Sequence, residues 1–220
     1  IIITTLKEYE DGYFHEASIG VNKAILDLSG KLFDEVSKDK DLNCFYSMGA
    51  GAAYYFAKKR NVFFYERNPF NSVLNKALLS LYGKPYKFYE NYKETEVSFS
   101  APPLGLKVRD GFFYIENFLP FNEDDESKLI KDLHSKFIYL SHLNTKNTTI
   151  AITNQGTLWT KNNGINYFRK LIIENNWLEA VIKLPSNIMS HTAIPMALLI
   201  LKKHRATKDK IQFIDFSDCK

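Results

Sequence analysis

Apolar and polar positions follow two rhythms along this chain. From Ala17 to Lys38 the apolar residues Ile19, Val21, Ile25, Leu26, Leu28, Leu32, Phe33 and Val36 recur mostly at helical spacing, which predicts an amphipathic helix with a break near Gly30. Short apolar runs then predict strands at Cys44–Ser47, Val62–Glu66, Tyr86–Tyr89, Glu96–Ser100, Thr148–Thr153, Leu178–Leu184, Met196–Leu201 and Ile211–Phe216. Between them, helical patterns occupy Ala52–Lys59, Ser72–Tyr82, Asp125–Leu143 and Ile165–Asn175. Strand and helix alternating in this way predict an α/β domain with a mainly parallel sheet. The end of the chain departs from that pattern. Leu178–Leu184 and Met196–Leu201 are separated by Pro185–Pro195, which holds no helical run, whereas a parallel return needs about a dozen residues or more, usually helical. An antiparallel pair is therefore expected among the last strands.

Composition narrows the class. With 220 residues, 45% of them hydrophobic and 15% aromatic, the chain can bury one sizeable core, and a single domain over 1–220 is expected. Its 29 Lys and Arg against 25 Asp and Glu give a net charge of +4, compatible with a polyanionic partner but well short of a dedicated nucleic-acid binder. Cys44 and Cys219 lie far apart with no CxxC spacing, so neither a zinc site nor a disulfide framework is suggested and a reducing cytoplasm is expected. No apolar run reaches the ~18–20 residues that span a bilayer, and Ile1-Ile2-Ile3-Thr4-Thr5 has no basic flank of the signal-peptide kind. The run Glu123-Asp124-Asp125-Glu126 reads as a capped helix start whose charges match the helix dipole, rather than as a metal site.

Candidate chemistry gathers on strand ends. Val97-Ser98-Phe99-Ser100-Ala101-Pro102-Pro103-Leu104-Gly105 is an extended apolar run closed by a rigid double proline, and proline itself ends ladder pairing. Ser47-Met48-Gly49-Ala50-Gly51-Ala52 follows one predicted strand and opens a helix, with glycines where a backbone must turn tightly or approach a ligand closely. Glu66 ends the next strand, where a carboxylate can meet a ribose diol. His15, His134, His142, His191 and His204 show no metal-ligand spacing, so no metal site is expected. Lys202, Lys203, His204, Arg205, Lys208 and Lys210 read either as a phosphate contact or as a solvated turn between strands.

The double-proline loop resembles the Asn/Asp/Ser-Pro-Pro-aromatic loop of amino-group DNA methyltransferases, Asn-Pro-Pro-Phe-Gly in the type I modification subunits. Ala101 stands in place of the amide and Leu104 in place of the aromatic. The tract Thr149–Lys203 closely resembles the catalytic domain of type I restriction-modification methylase subunits. It runs through Ile150-Ala151-Ile152-Thr153, Asn154-Gln155-Gly156-Thr157-Leu158, Tyr167–Ile172, Asn176–Pro185, Thr192–Pro195 and Leu198–Lys203 in the family's order.

The resemblance implies a Rossmann-like class I S-adenosylmethionine-dependent methyltransferase with a reversed seventh strand beside the fifth. It divides the domain into a helical lead-in (1–40), a cofactor half (41–100), a catalytic-loop remnant and insert (101–147) and a C-terminal sheet half (148–220). It implies cofactor contacts at Ser47, Gly49, Ala50, Gly51, Glu66 and Glu90, the last with Asn91 as an alternative contact to adenine. It implies a catalytic loop at Ser100, Ala101, Pro102, Pro103 and Leu104, acting on a base flipped from the duplex. Three family features are missing. Phe45 falls where the acid before the glycine turn belongs, Gly12–Ala17 lacks the family's Phe-x-Thr-Pro pair, and the loop lacks both its amide and its ring. The expected function is thus an adenine-N6 DNA methyltransferase-like subunit of a type I restriction-modification system, weakly active or inactive and serving in binding or scaffolding. DNA, a specificity subunit and other modification or restriction subunits are the expected partners, with no membrane. The alternatives are a working S-adenosylmethionine-dependent adenine methyltransferase, with Ser100 or backbone carbonyls replacing the amide, and a ligand-free protein-interaction module.

Overall fold

The computed structural model describes residues 21–47, 51–65, 93–102, 124–186, 188–189, 193–207 and 210–218, with 73, 77, 80, 87 and 88 besides. Helix α1 (Lys23–Val36) starts where the Asn22 side chain accepts a hydrogen bond from Ala24 N at 2.8 Å, and it buries Ile25, Leu26, Ser29 and Phe33. It runs unbroken through Gly30, contrary to the expected break. One glycine costs a helix only about 0.5–1 kcal/mol relative to alanine, too little to interrupt a well-packed amphipathic face.

Eight strands form one sheet: β1 (Asp41–Ser47), β2 (Asn61–Tyr65), β3 (Lys87–Phe88), β4 (Thr95–Ala101), β5 (Thr145–Asn154), β6 (Leu178–Lys183), β7 (Met196–Lys202) and β8 (Gln212–Asp215). Their order is β3-β2-β1-β4-β5-β7-β6-β8. β7 runs antiparallel to both β5 and β6, while the other pairings are parallel, as the short Pro185–Pro195 connection requires.

Side-chain alternation builds a core on each face of the sheet. Leu42, Cys44, Val62, Phe64, Val97, Phe99, Ala101, Ile150, Ile152 and Leu198 pack with α1 and with α2 (Gly51–Ala57). Phe56 is the hub of that layer, meeting Phe33 edge-on at 5.7 Å and Phe99 at 5.2 Å. On the opposite face Ala151, Val181, Leu199 and Leu201 meet Phe137, Leu140, Phe168 and Ile172.

The helix expected over Asp125–Leu143 is two helices, α3 (Asp125–Leu129) and α4 (Leu133–Leu143). The break is chemical. Asp132 turns its carboxylate onto Ser135 N at 2.8 Å and Ser135 Oγ at 2.6 Å, an N-cap that ends one helix and starts another. Asp124 caps α3 through Ser127 N at 2.7 Å, so the acidic run is the capped helix start the sequence suggests. It is also held from above, Tyr139 Oη donating to Asp124 Oδ2 at 2.9 Å and Tyr167 Oη to Glu126.

After β5 the chain closes into a short helix, α5 (Gly156–Trp159), and α6 (Asn163–Glu174) follows from its cap Asn162. Of the helix expected over Ser72–Tyr82, Val73, Ala77 and Ser80 are described, and all three are helical.

Candidate functional site

The strand order reverses between β1 and β4, and in open α/β sheets ligands bind at the carboxyl ends of the strands beside such a switch point. Register places the two expected halves of the site in contact. Ser47, the last residue of β1, lies opposite Ala101, the last of β4, while Phe45 lies opposite Tyr65 of β2 and Ser100 of β4. The chain therefore leaves β1 at Ser47 next to the point where it leaves β4 at Ala101, and α2 begins at Gly51. β5 continues the same edge, with Ala151 opposite Ser100.

Among the sequence-derived site residues, Ser47 and Gly51 are placed by their backbone at the end of β1 and the start of α2. Gly49, Ala50, Glu66, Glu90, Asn91, Pro103, Leu104 and Gly12–Ala17 lie outside the described residues. Phe45, where the family's acid belongs, is fully buried. Against an S-adenosylmethionine cofactor, the described residues supply the strand-order switch point but no carboxylate at the end of β1, so the acid's part of the donor set does not fit. Ala101 is fully buried in the apolar cluster and Pro102 is buried beside it.

Ser100 is committed elsewhere. Its Oγ lies 3.1 Å from Ser141 Oγ in α4, and the Ser141 hydroxyl donates to Phe137 O at 2.7 Å. A carbonyl can only accept, so the Ser141 proton is spent there and Ser100 is the donor to Ser141.

That pair belongs to a buried polar seam between the sheet and α4 which the sequence reading missed. Thr145 Oγ1 donates to Ser141 O at 2.7 Å and, its one proton spent there, accepts from Ser98 Oγ at 2.7 Å. Ser98 Oγ meets Thr149 Oγ1 at 2.9 Å, and Thr149 meets His142 Nδ1 at 3.0 Å. His134 Nε2 meets Thr153 Oγ1 at 3.1 Å, and Thr153 donates to Thr157 at 2.8 Å. The His142 ring stands edge-on to Trp177 at 4.9 Å, and its Nε2 has no hydrogen-bond partner. Burial above all, with the Lys203 charge added, pushes its pKa down to about 3, so the ring is neutral. The available signal was alternation: Ser98 and Ser100, then Thr149 and Thr153, put small hydroxyls on one face of strands too apolar to be solvated.

Within the basic cluster His204 and Lys210 are exposed, whereas two members turn inward. Arg205 is buried, donating to Glu179 Oε2 at 2.7 Å, Asn176 Oδ1 at 2.7 Å and Lys210 O. Lys203 Nζ reaches Leu143 O at 2.8 Å. Among the described residues no group of three or more His, Cys, Asp or Glu could hold a metal ion, and no helix is long and apolar enough to cross a membrane.

Strand order and reversed β7 together define a Rossmann-like class I methyltransferase fold. Residues 112–219 match the model of the N-6 DNA Methylase family, so that stretch is similar to the N-6 DNA methylases. A stretch of 50 residues, 23% of this chain and 9% of the relative, is 50% identical to the type I restriction enzyme MpnII methylase subunit of Mycoplasma pneumoniae. The type I restriction-modification methyltransferase subunit of Streptococcus thermophilus superposes with a TM-score of 0.77 at 21% identity, over 96% of this chain and 51% of that one. A Listeria monocytogenes protein assigned to the class I S-adenosylmethionine-dependent methyltransferases gives 0.74 at 15% identity, over 98% and 71%. The chain thus spans about half the length of the Streptococcus subunit and a small part of the Mycoplasma one.

Proposed function

We propose that this chain is a DNA adenine-N6 methyltransferase-like subunit of a type I restriction-modification system, weakly active or inactive, that serves in binding or scaffolding. The observation that carries the reading is the end of β4. An exocyclic amino group is a poor nucleophile because its lone pair is delocalised into the ring, and it needs acceptors for its hydrogens. At position 101 the chain offers a buried methyl group inside an apolar cluster. Loss of one preorganised polar partner costs roughly 10²–10³ in rate by analogy with oxyanion holes. Ser100 does not replace it, since its hydroxyl is fully buried against Ser141 of α4, out of reach of a base.

The expected cofactor is S-adenosylmethionine, bound weakly, with the glycine turn beside β4 approaching it and Glu66 meeting its ribose. DNA, a specificity subunit and other subunits of such a system are the expected partners. Two measurements test the reading: calorimetric titration with S-adenosylmethionine, and methyl transfer from labelled cofactor to unmethylated DNA. Weak binding with little or no transfer supports it. Robust transfer promotes the working enzyme, with the Pro102 carbonyl as acceptor, and absence of both cofactor and DNA binding leaves a ligand-free interaction module.

A further inference from the structure

Trp159 is 62% exposed, yet its backbone is held on both sides. Asn154 Oδ1 accepts from Thr157 N at 3.1 Å, Thr160 N donates to Gly156 O at 2.8 Å, and the Arg169 guanidinium donates to Thr157 O at 2.7 Å and Thr160 O at 2.8 Å. Just beyond, Asn162 Oδ1 caps α6 through Gly164 N at 2.9 Å. A large indole left in water on a rigid support is informative, because exposed tryptophan forgoes substantial burial and concentrates at contact surfaces.

The position is also specific. α5 follows β5 by one residue, so Trp159 leaves the sheet at the edge where β4 ends in Ala101-Pro102. Gln155 ties the start of β7 to the same edge, its N donating to Pro195 O at 2.8 Å and its Nε2 to Met196 O at 3.1 Å.

The surroundings choose between two kinds of partner. Thr160, Lys161, Asn162 and Asn163 are all exposed, so the indole stands in a cationic and amide-rich strip rather than an apolar patch of the kind that docks protein. From Asn154 to Ile173 the chain carries Lys161, Arg169 and Lys170 and no carboxylate, and none occurs between Glu179 and Asp209. An exposed indole followed two positions on by an exposed ammonium matches a nucleobase stacked next to its phosphate, and the nearest acids, Glu126 at Tyr167 and Asp132 at Gly164, lie on the α3–α4 side.

We infer that Trp159 and Lys161 form a nucleic-acid contact on the strand-end edge beside the β4 loop, the indole stacking on an unpaired or extruded base and the ammonium meeting the adjacent phosphate. The inference rests on the proposed DNA-directed function and adds a contact point to it.

Fluorescence anisotropy of a labelled duplex carrying an unpaired adenine, titrated with the intact chain over a range of salt, tests it. Trp159→Ala is expected to weaken binding about tenfold, Trp159→Phe to retain most of the affinity, and Lys161→Gln to lower the slope of log K against log salt by about one. Bound DNA should also shield Trp159 from iodide quenching. Unchanged affinity in Trp159→Ala, with wild-type protein binding DNA, overturns this contact and leaves the proposed function standing. Failure of the wild-type chain to bind DNA even at low salt removes the proposed function and this contact with it.

Discussion

Ser100 of β4 donates its hydroxyl proton to Ser141 of α4 across 3.1 Å, and Ser141 passes its own to Phe137 O at 2.7 Å. The pair ties the strand that carries Ala101-Pro102 to the helix behind it. The two serines are unequal, and that inequality is measurable. Ser141→Ala strands a buried donor on Ser100 and should cost about 1–3 kcal/mol, whereas Ser100→Ala leaves Ser141 still bonded to Phe137 O and should cost about 0.5–1.5 kcal/mol. The double variant should cost less than the sum of the two. Urea denaturation of the three proteins checks this, and equal single costs that add would show that the hydroxyls act independently.

His142 predicts an acid-sensitive fold. Its folded pKa lies near 3, against 6.5 unperturbed, so between those values the unfolded chain holds a proton that the folded chain does not. Stability therefore rises with pH across that window, is fully present above pH 6.5, and falls as pH drops toward 3. The expected result is a urea midpoint that declines from pH 7 to pH 4 more steeply in wild type than in His142→Phe. Identical slopes would place the acid sensitivity in other groups.

Two glycines give opposite expectations for one substitution. A Cβ on Gly164 would meet Lys131 N at 2.8 Å and Asp132 N at 2.9 Å, backbone that also carries the cap of α4. Gly164→Ala should therefore destabilise by about 1–3 kcal/mol through overpacking. A Cβ on Gly30 has Phe56 Cε1 at 3.9 Å, ordinary contact, so Gly30→Ala should stabilise α1 by about 0.5–1 kcal/mol. Thermal melts of both variants against wild type decide the signs.

The sheet was legible because its strands are short apolar runs flanked by polar or turn residues, and because the Pro185–Pro195 connection cannot return a parallel strand. What escaped was chemistry without hydrophobic period. Periodicity ran Asp125–Leu143 together because Ile130 and Leu133 continue the apolar face, whereas the break is a carboxylate preferring Ser135 to the helix ladder. Gly30 misled in the other direction, a formal breaker overruled by packing of Ile25, Leu26 and Phe33. At the site, register alone brings Ser47 beside Ala101. No pattern in the sequence revealed that Ser100 faces a helix 41 residues away.

The proposed loss of catalytic chemistry at the end of β4 can be tested by introducing the family's amide and ring. If Ala101 and Leu104 account for weak chemistry, wild-type protein should transfer little methyl to adenine at saturating cofactor and DNA, and Ala101→Asn with Leu104→Phe should raise the rate. Because amide and ring act on one flipped base, the double change should exceed the product of the single changes. The restoration has a structural cost. Position 101 lies in a fully buried apolar cluster, and an amide left without partners there is destabilising by about 1–3 kcal/mol, so Ala101→Asn should melt below wild type. Cofactor binding at the glycine turn should narrow that gap when S-adenosylmethionine is added. Labelled-methyl incorporation and melting with and without cofactor, run on the same four proteins, separate the two effects. A folded double variant that binds cofactor and DNA but transfers no more methyl than wild type would show that the missing amide and ring are not what limits the chemistry.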